Sequence, residues 1–296
     1  MTEWKGKSKG TPLGYKIFIL LIQKTGLGIS YFLLHFVAFY FFLFSKKEKA
    51  HILHYFQEIH QFNYWKSQLY AYRNFNSFGI SLLDKTAFLS GASSSLSFDF
   101  EGEKYLQKLA QEGQGAIIVG AHVGNWEIAG QLMDRINVRT NIIMKRNERA
   151  EIKDVLEKSE VLRKMNIIDV GDDFNYLFEI KSALDKNEFV ILLGDRFIDG
   201  SKTSEYNFLG RKAKFPIGPF YLSVKFKKPV IFTFATKESR KHYHFYASEP
   251  IYNTSRVPAN NINERIDFLI EEYIKNLERI VLKYPEQWYN FYKFWE

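Results

Sequence analysis

The sequence contains no cysteine. Disulfides, thiolate metal sites, Fe–S clusters and cysteine nucleophiles are therefore excluded together. The absence carries no information about compartment. No glycine-rich phosphate loop of Walker or Rossmann type occurs, and no cofactor is implied. No internal repeat is visible. His35, His51, His54 and His60 are spread over an apolar block and one helical stretch with no second cluster of acids, so they do not read as a metal site. His242 and His244 fall on one face of an alternating segment and read as surface residues. The apolar block near the N-terminus runs into Phe-Phe-Leu-Phe-Ser-Lys-Lys, with no small-residue cleavage site, which speaks against a cleaved signal peptide.

What is present is apolar, aromatic and basic. The chain has 296 residues, 46% of them hydrophobic, enough for a folded core in one large domain or two small ones. Aromatic residues make up 17%. Formal net charge is +8, and residues 1–50 supply most of it, with eight lysines against Glu3 and Glu48. A basic balance suggests a polyanionic neighbour. Those lysines bracket the densest apolar run, residues 26–44. As a helix that run would be about 28 Å long, close to the roughly 30 Å of a bilayer core. A simple crossing favours cations on the cytoplasmic side only. Lysines on both flanks fit better with a helix lying in the interface, or a re-entrant hairpin, with Lys reaching anionic headgroups. Nucleic acid is disfavoured, because the cations surround a greasy helix and do not interleave with base-stacking positions. The expected division is a membrane-associating segment over residues 1–50 and an α/β domain over 51–296.

Residues 47–90 have helical periodicity, and Gly91–Ser95 reads as a loop. Beyond it, short continuous apolar runs alternate with helical stretches. The runs are 116–120, 141–144, 167–170, 189–193 and 229–234; the stretches are 128–135, 150–164 and 176–186. Continuous apolar runs are the mark of buried parallel strands. The alternation predicts an α/β fold, a mixed, mostly parallel sheet flanked by helices. Residues 242–248 alternate like an edge strand, and 261–282 form an amphipathic C-terminal helix.

The most informative stretch is Gly120-Ala-His122-Val-Gly-Asn-Trp-Glu127. It lies where a buried strand ends and a helix begins, the position at which open α/β sheets bind ligands. On a continuous helix His122 and Glu127 would be about 140° apart, so they could meet only across a turn, which Gly124-Asn125 can supply. A carboxylate on one imidazole nitrogen fixes the tautomer and makes the other a general base.

These residues, with three further segments, resemble the bacterial late acyltransferases of lipid A biosynthesis, within the wider glycerolipid acyltransferase group marked by H-x4-D/E. The further segments are Met144-Lys145-Arg146-Asn147, Leu193-Gly-Asp195-Arg196, and Phe208-Leu-Gly210-Arg-Lys-Ala-Lys-Phe-Pro216-Ile-Gly218-Pro219. Tyr284-Pro-Glu-Gln-Trp288-Tyr is similar as well. The resemblance implies an enzyme that transfers a fatty acyl chain from an acyl thioester, on acyl carrier protein or coenzyme A, to a lipid hydroxyl. It implies His122 as base oriented by Glu127, with Arg146 and Arg196 as oxyanion donors. Asp195 would orient Arg196 or line the acceptor site. Asn125, Trp126, Lys145, Asn147, Gly210 and Pro216 would line the substrate site, and Arg211, Lys212 and Lys214 would receive phosphates or an acidic carrier. The location implied is the bacterial inner membrane, cytoplasmic face. Lys145-Arg146 stands where lipid A enzymes usually carry an Arg-Pro-like turn, and Trp4-x-Gly6-x-Ser-x-Gly10 resembles relatives acting on other lipids. The acceptor therefore stays open among lipid A-type, phospholipid, aminolipid and polyene pigment. A thioesterase or lipase, or a non-catalytic lipid-binding protein, remains the alternative.

Overall fold

The computed structural model describes residues 12–89, 96–144, 166–170, 175–197, 200–252 and 261–295. Three helices come first: α1 (Pro12–Phe44), α2 (Lys46–His54), continued by a π-helical turn over Tyr55–Ile59, and α3 (Tyr64–Leu89). α1 is broken at Gly26, whose φ of 76° and ψ of 179° lie outside helical space. Glycine alone adopts such angles without strain. The apolar run 26–44 therefore begins at the break.

The strands are β1 (Ser97–Glu101), β2 (Ala116–Gly120), β3 (Thr140–Met144), β4 (Asn166–Asp169), β5 (Phe189–Leu193), β6 (Thr203–Phe208), β7 (Arg211–Pro216), β8 (Val230–Lys237) and β9 (His242–Ala247). Between and after them lie α4 (Glu103–Glu112), α5 (Trp126–Leu132), α6 (Asn175–Asp185), α7 (Gly218–Phe226) and α8 (Ile262–Lys283). Seven strands form one sheet in the order β1–β9–β8–β2–β5–β3–β4. Every neighbouring pair is parallel except β8–β9. This is the mixed, mostly parallel sheet expected from the sequence. β6 and β7 make a separate antiparallel hairpin.

The central strand β2, Ala-Ile-Ile-Val-Gly, is buried at all five positions, because helices cover both sheet faces. α8 is held to one face by its apolar stripe, Ile266, Leu269, Ile270, Tyr273, Ile274, Leu277, Ile280 and Val281. Its start is fixed by Asn261, whose side chain accepts the Glu264 N–H at 3.0 Å.

One sequence expectation changes here. Residues 242–247 are not an edge strand: β1 pairs outside them. β1 reads Ser-Phe-Asp-Phe-Glu, too short and too polar to register as an apolar run. His242 and His244 face it and pair with its acids, Asp99 at 3.3 and 2.6 Å respectively. The expected helix over 150–164 and the loop at 91–95 lie outside the described residues.

Candidate active site

The site follows from strand register. In the parallel pair β2–β5, Gly120 is opposite Leu193. His122 and Asp195 each lie two residues past that rung. Neighbouring strands are about 4.8 Å apart, so equal overshoot brings the two side chains into contact. His122 Nδ1 is 2.8 Å from Asp195 Oδ1, and the His122 backbone N–H donates to Oδ2 at 3.0 Å. The crossing is tied at the same level: the Gly194 N–H and the Tyr273 hydroxyl both donate to Gly120 O, each at 2.9 Å.

Asp195 is buried. Burial pushes its carboxyl up, but the hydrogen bonds from His122 and the nearby Arg196 charge outweigh that and hold it below the usual carboxylate range. It is therefore ionised and accepts the Nδ1 proton. The other nitrogen, Nε2, is left with its lone pair, and among the described residues no group bonds it. Burial, then the Arg196 charge, lower the His122 pKa below 6.5, against the opposing pull of Asp195. At neutral pH the imidazole is a neutral base with its tautomer set, and 13% of the side chain remains exposed.

The segment after His122 turns sharply. Gly124 has φ +60°, and a Cβ there would be 1.8 Å from Ala235 O. Only glycine lets the chain approach β8 this closely. Asn125 then caps α5: its Oδ1 accepts the Ile128 N–H at 3.3 Å, and its Nδ2 donates to Ser81 O at 2.9 Å. Asn125 thus holds the turn in place from a buried position. The Trp126 ring stands edge-on to the imidazole with centroids 5.0 Å apart.

Glu127 is not the carboxylate on His122. It lies in the first turn of α5, where it pairs with Lys85 of α3 at 2.6 Å. The turn at Gly124-Asn125 carries Glu127 toward α3, while register places Asp195 on the imidazole. The contacts therefore differ from the expected ones: the carboxylate against the imidazole is Asp195, and Glu127 is paired with Lys85.

Arg196 Nη2 donates to Tyr289 O, and the guanidinium lies 5.7 Å from the Tyr292 ring centre. Its charge is felt by both His122 and Asp195. Lys145, Arg146 and Asn147 lie outside the described residues. The remaining basic residues sit on the β6–β7 hairpin. Gly210 makes its turn at φ +81°. Arg211 pairs with Glu58 at 3.2 Å. Lys212 is exposed, Lys214 half-buried and Pro216 buried. The turn end of the hairpin packs on the site through Phe208, whose ring is 5.5 Å from that of Trp288.

Sequence reasoning gave no role to residues 284–295, which run across the site. The Tyr289 N–H donates to His122 O at 3.0 Å, the Trp288 indole N–H to Asp195 Oδ2 at 3.1 Å, and the Tyr292 hydroxyl to Asp195 O at 3.0 Å. The available signal was the density of aromatics in Trp288-Tyr-Asn-Phe-Tyr292, which exceeds what a solvated tail would carry. Among the described residues no group of three or more His, Asp or Glu is placed to hold a metal ion.

A sequence-family model described as bacterial lipid A biosynthesis acyltransferase matches residues 13–296. No curated protein matches the chain in a direct sequence comparison. Among solved structures, the 1-acyl-sn-glycerophosphate acyltransferase PlsC from Thermotoga maritima is similar at 12% identity and a TM-score of 0.40, covering 90% of this chain and 97% of its own.

Proposed function

The chain belongs to the bacterial lipid A biosynthesis acyltransferase family, and from that premise we propose that its reaction is direct acyl transfer from a thioester to a lipid hydroxyl, with His122 as base and Asp195 as its orienting partner. The enzyme is an acyltransferase, and the acceptor class is lipid. The observation that supports the rest is the 2.8 Å contact between His122 and Asp195 at the ends of two buried parallel strands, with Nε2 unengaged by the described residues.

Nε2 takes the proton of the acceptor hydroxyl as its oxygen bonds the thioester carbonyl carbon. The resulting oxyanion needs positive charge in a dry pocket; Arg196 lies beside the pair, and Arg146 follows β3 in the sequence. Collapse breaks the C–S bond, and the proton passes from the imidazolium to the departing thiolate. Ester and free thiol are the products. No covalent acyl-enzyme is required, in keeping with a chain that lacks cysteine. Lys212 and Lys214, with Arg211, offer charge for the phosphates of a carrier protein or coenzyme A donor, or for lipid headgroups.

The membrane reading rests on α1. It is long and apolar enough to span a bilayer by length and composition. Yet one stripe, Leu27, Ser30, Tyr31, Leu34 and Ala38, is buried, and Gly79 of α3 lies against Leu34. On that side the Tyr31 hydroxyl bonds Asp84 of α3, which also takes Lys237 at 2.5 Å, and Arg240 reaches Gly28 O at 3.3 Å. A crossing helix would drag these charges into hydrocarbon, at several kcal/mol each. The opposite stripe, Phe32, Phe36, Phe39, Tyr40 and Leu43, is exposed, as are Trp65 and Leu69 of α3. These two stripes support a helix that lies along a membrane interface; the family implies that the membrane is the bacterial inner membrane and the face the cytoplasmic one. Residues 1–50 are the membrane-associating segment, and residues 51–296 are the acyltransferase domain.

The test is incubation of purified enzyme with labelled acyl donor and a membrane lipid extract, followed by mass spectrometry of the lipids. A lipid that gains one acyl chain with wild-type enzyme, and not with His122→Ala, supports the reading. Label released only as free fatty acid would make the enzyme a hydrolase instead. Full transfer by His122→Ala would remove the assigned base.

A further inference from the structure

The carboxylate that holds His122 is itself held. Asp195 Oδ1 faces Nδ1, while Oδ2 accepts two hydrogen bonds, one from the His122 backbone and one from the Trp288 indole. The backbone donor comes with the strand end. The indole donor comes from the far end of the chain, 93 residues later. Trp288 is 1% exposed, and its ring is fixed from several sides. It stands edge-on to Tyr55 at 5.1 Å, Phe208 at 5.5 Å and Trp295 at 5.7 Å. Its own carbonyl accepts Asn74 Nδ2 at 2.8 Å, and it forms a β-bridge with Val123, one residue past the histidine. A rigid aromatic frame thus presents one N–H to one carboxylate oxygen.

We propose that Trp288 is a positioning residue for the dyad: its indole N–H fixes the rotation of the Asp195 carboxylate, and through it the tautomer and angle of His122. The role is separable from packing, because the ring's hydrogen bond to Asp195 comes from its nitrogen, which can be replaced with the ring's shape kept. It rests on the assignment of His122 as base, which it deepens.

Removing that N–H leaves more negative charge on Oδ2. The imidazolium beside it is then better stabilised, and the His122 pKa rises. The other charged or titratable groups facing the pair are Arg196 beside it, Glu127 on α5 (neutralised by Lys85), Tyr273 on α8, and Tyr289 and Tyr292 on the C-terminal segment. Burial raises all three phenols, so they stay neutral as the histidine titrates.

The experiment replaces Trp288 with benzothienylalanine, which keeps the ring's shape and exchanges N–H for sulfur. Trp288→Phe is the second variant, with thermal unfolding to check the fold. The His122 titration is read by NMR on histidine-labelled full-length protein in lipid nanodiscs, assigned through His122→Gln. The expected result is a rise in the His122 pKa of ~0.5 or more, absent when the same replacement is made in Asp195→Asn. A titration that does not move on loss of the N–H overturns the proposal. So does an equal shift in the Asp195→Asn background, which would mean the ring acts without the carboxylate. The titration needs no substrate, so it is decided independently of the acyl-transfer assay. Where transfer is measurable, loss of the N–H should move the acid limb of kcat/KM upward and leave KM unchanged.

Discussion

The two ends of the sheet present different kinds of surface. At the C-terminal ends of β2 and β5, His122, Asp195, Arg196 and the C-terminal segment converge, and nearly every polar contact is matched. At the C-terminal ends of β1 and β9, a cleft of about 600 Å³ opens beside α8, lined by Glu101, Glu249, Glu272, Arg279, Tyr105 and Tyr252 among others. Because β9 is antiparallel to β8, that cleft lies toward the N-terminal end of β8. It has volume, but its polar groups are taken up in pairs of ordinary surface type: Tyr105 bonds Glu249 at 2.6 Å, Tyr252 bonds Glu112 at 2.9 Å, and Arg279 approaches Glu101 at 3.6 Å. Space alone does not locate chemistry. A buried base with a fixed tautomer does.

The sharpest way to break this contrast is His122→Ala. Transfer should fall by about 10²–10⁴-fold in a protein that still folds, with a somewhat lower thermal midpoint because buried Asp195 loses its side-chain partner. Next is Gly124→Ala, which should damage the fold that supports the site. A Cβ at φ +60° that would meet Ala235 O at 1.8 Å forces the loop off β8, at a cost of about 3 kcal/mol. Calorimetry should show a lower melting point, and activity should fall with it. The wild-type pH profile is a smaller, sharper test. His122 must be neutral to act as base, and its pKa is lowered. The acid limb of kcat/KM should therefore lie below pH 6.5, with activity lost only as pH falls through that limb. The smallest effect is expected at the other end of the sheet: Glu249→Gln should leave kcat/KM within about twofold, as surface polar changes generally do. A large loss there would mean that the open cleft takes part in the reaction.

Much of this was legible in the sequence. A continuous apolar run marked β2 because burial on both faces leaves no polar alternation to confuse, and β5 carries a similar run though its last three residues are half-buried. His122 was legible through the resemblance carried by His-Val-Gly-Asn-Trp-Glu at a strand end; an isolated histidine five residues before a glutamate is more often structural. The partner of His122 was not. Spacing within one segment suggested Glu127, whereas the contact is set by register between two strands 73 residues apart, which local periodicity cannot encode. The role of Trp288 was hidden for the same reason: its N–H meets Asp195 only after the whole chain has closed. β1 was missed because five alternating residues at an edge carry too little apolar signal.

The central claim is that Asp195, and not Glu127, holds the catalytic histidine. The pH dependence of kcat/KM for acyl transfer by Asp195→Asn and Glu127→Gln tests it most directly. Loss of the Asp195 charge removes the group stabilising the imidazolium, so that variant's acid limb should move to lower pH while its rate falls by about 10²-fold or more. Glu127 is the weakest of the charges acting on His122, so its variant's limb should stay within a few tenths of a pH unit of the wild type. A limb that moves with Glu127→Gln and stands still with Asp195→Asn would contradict the account.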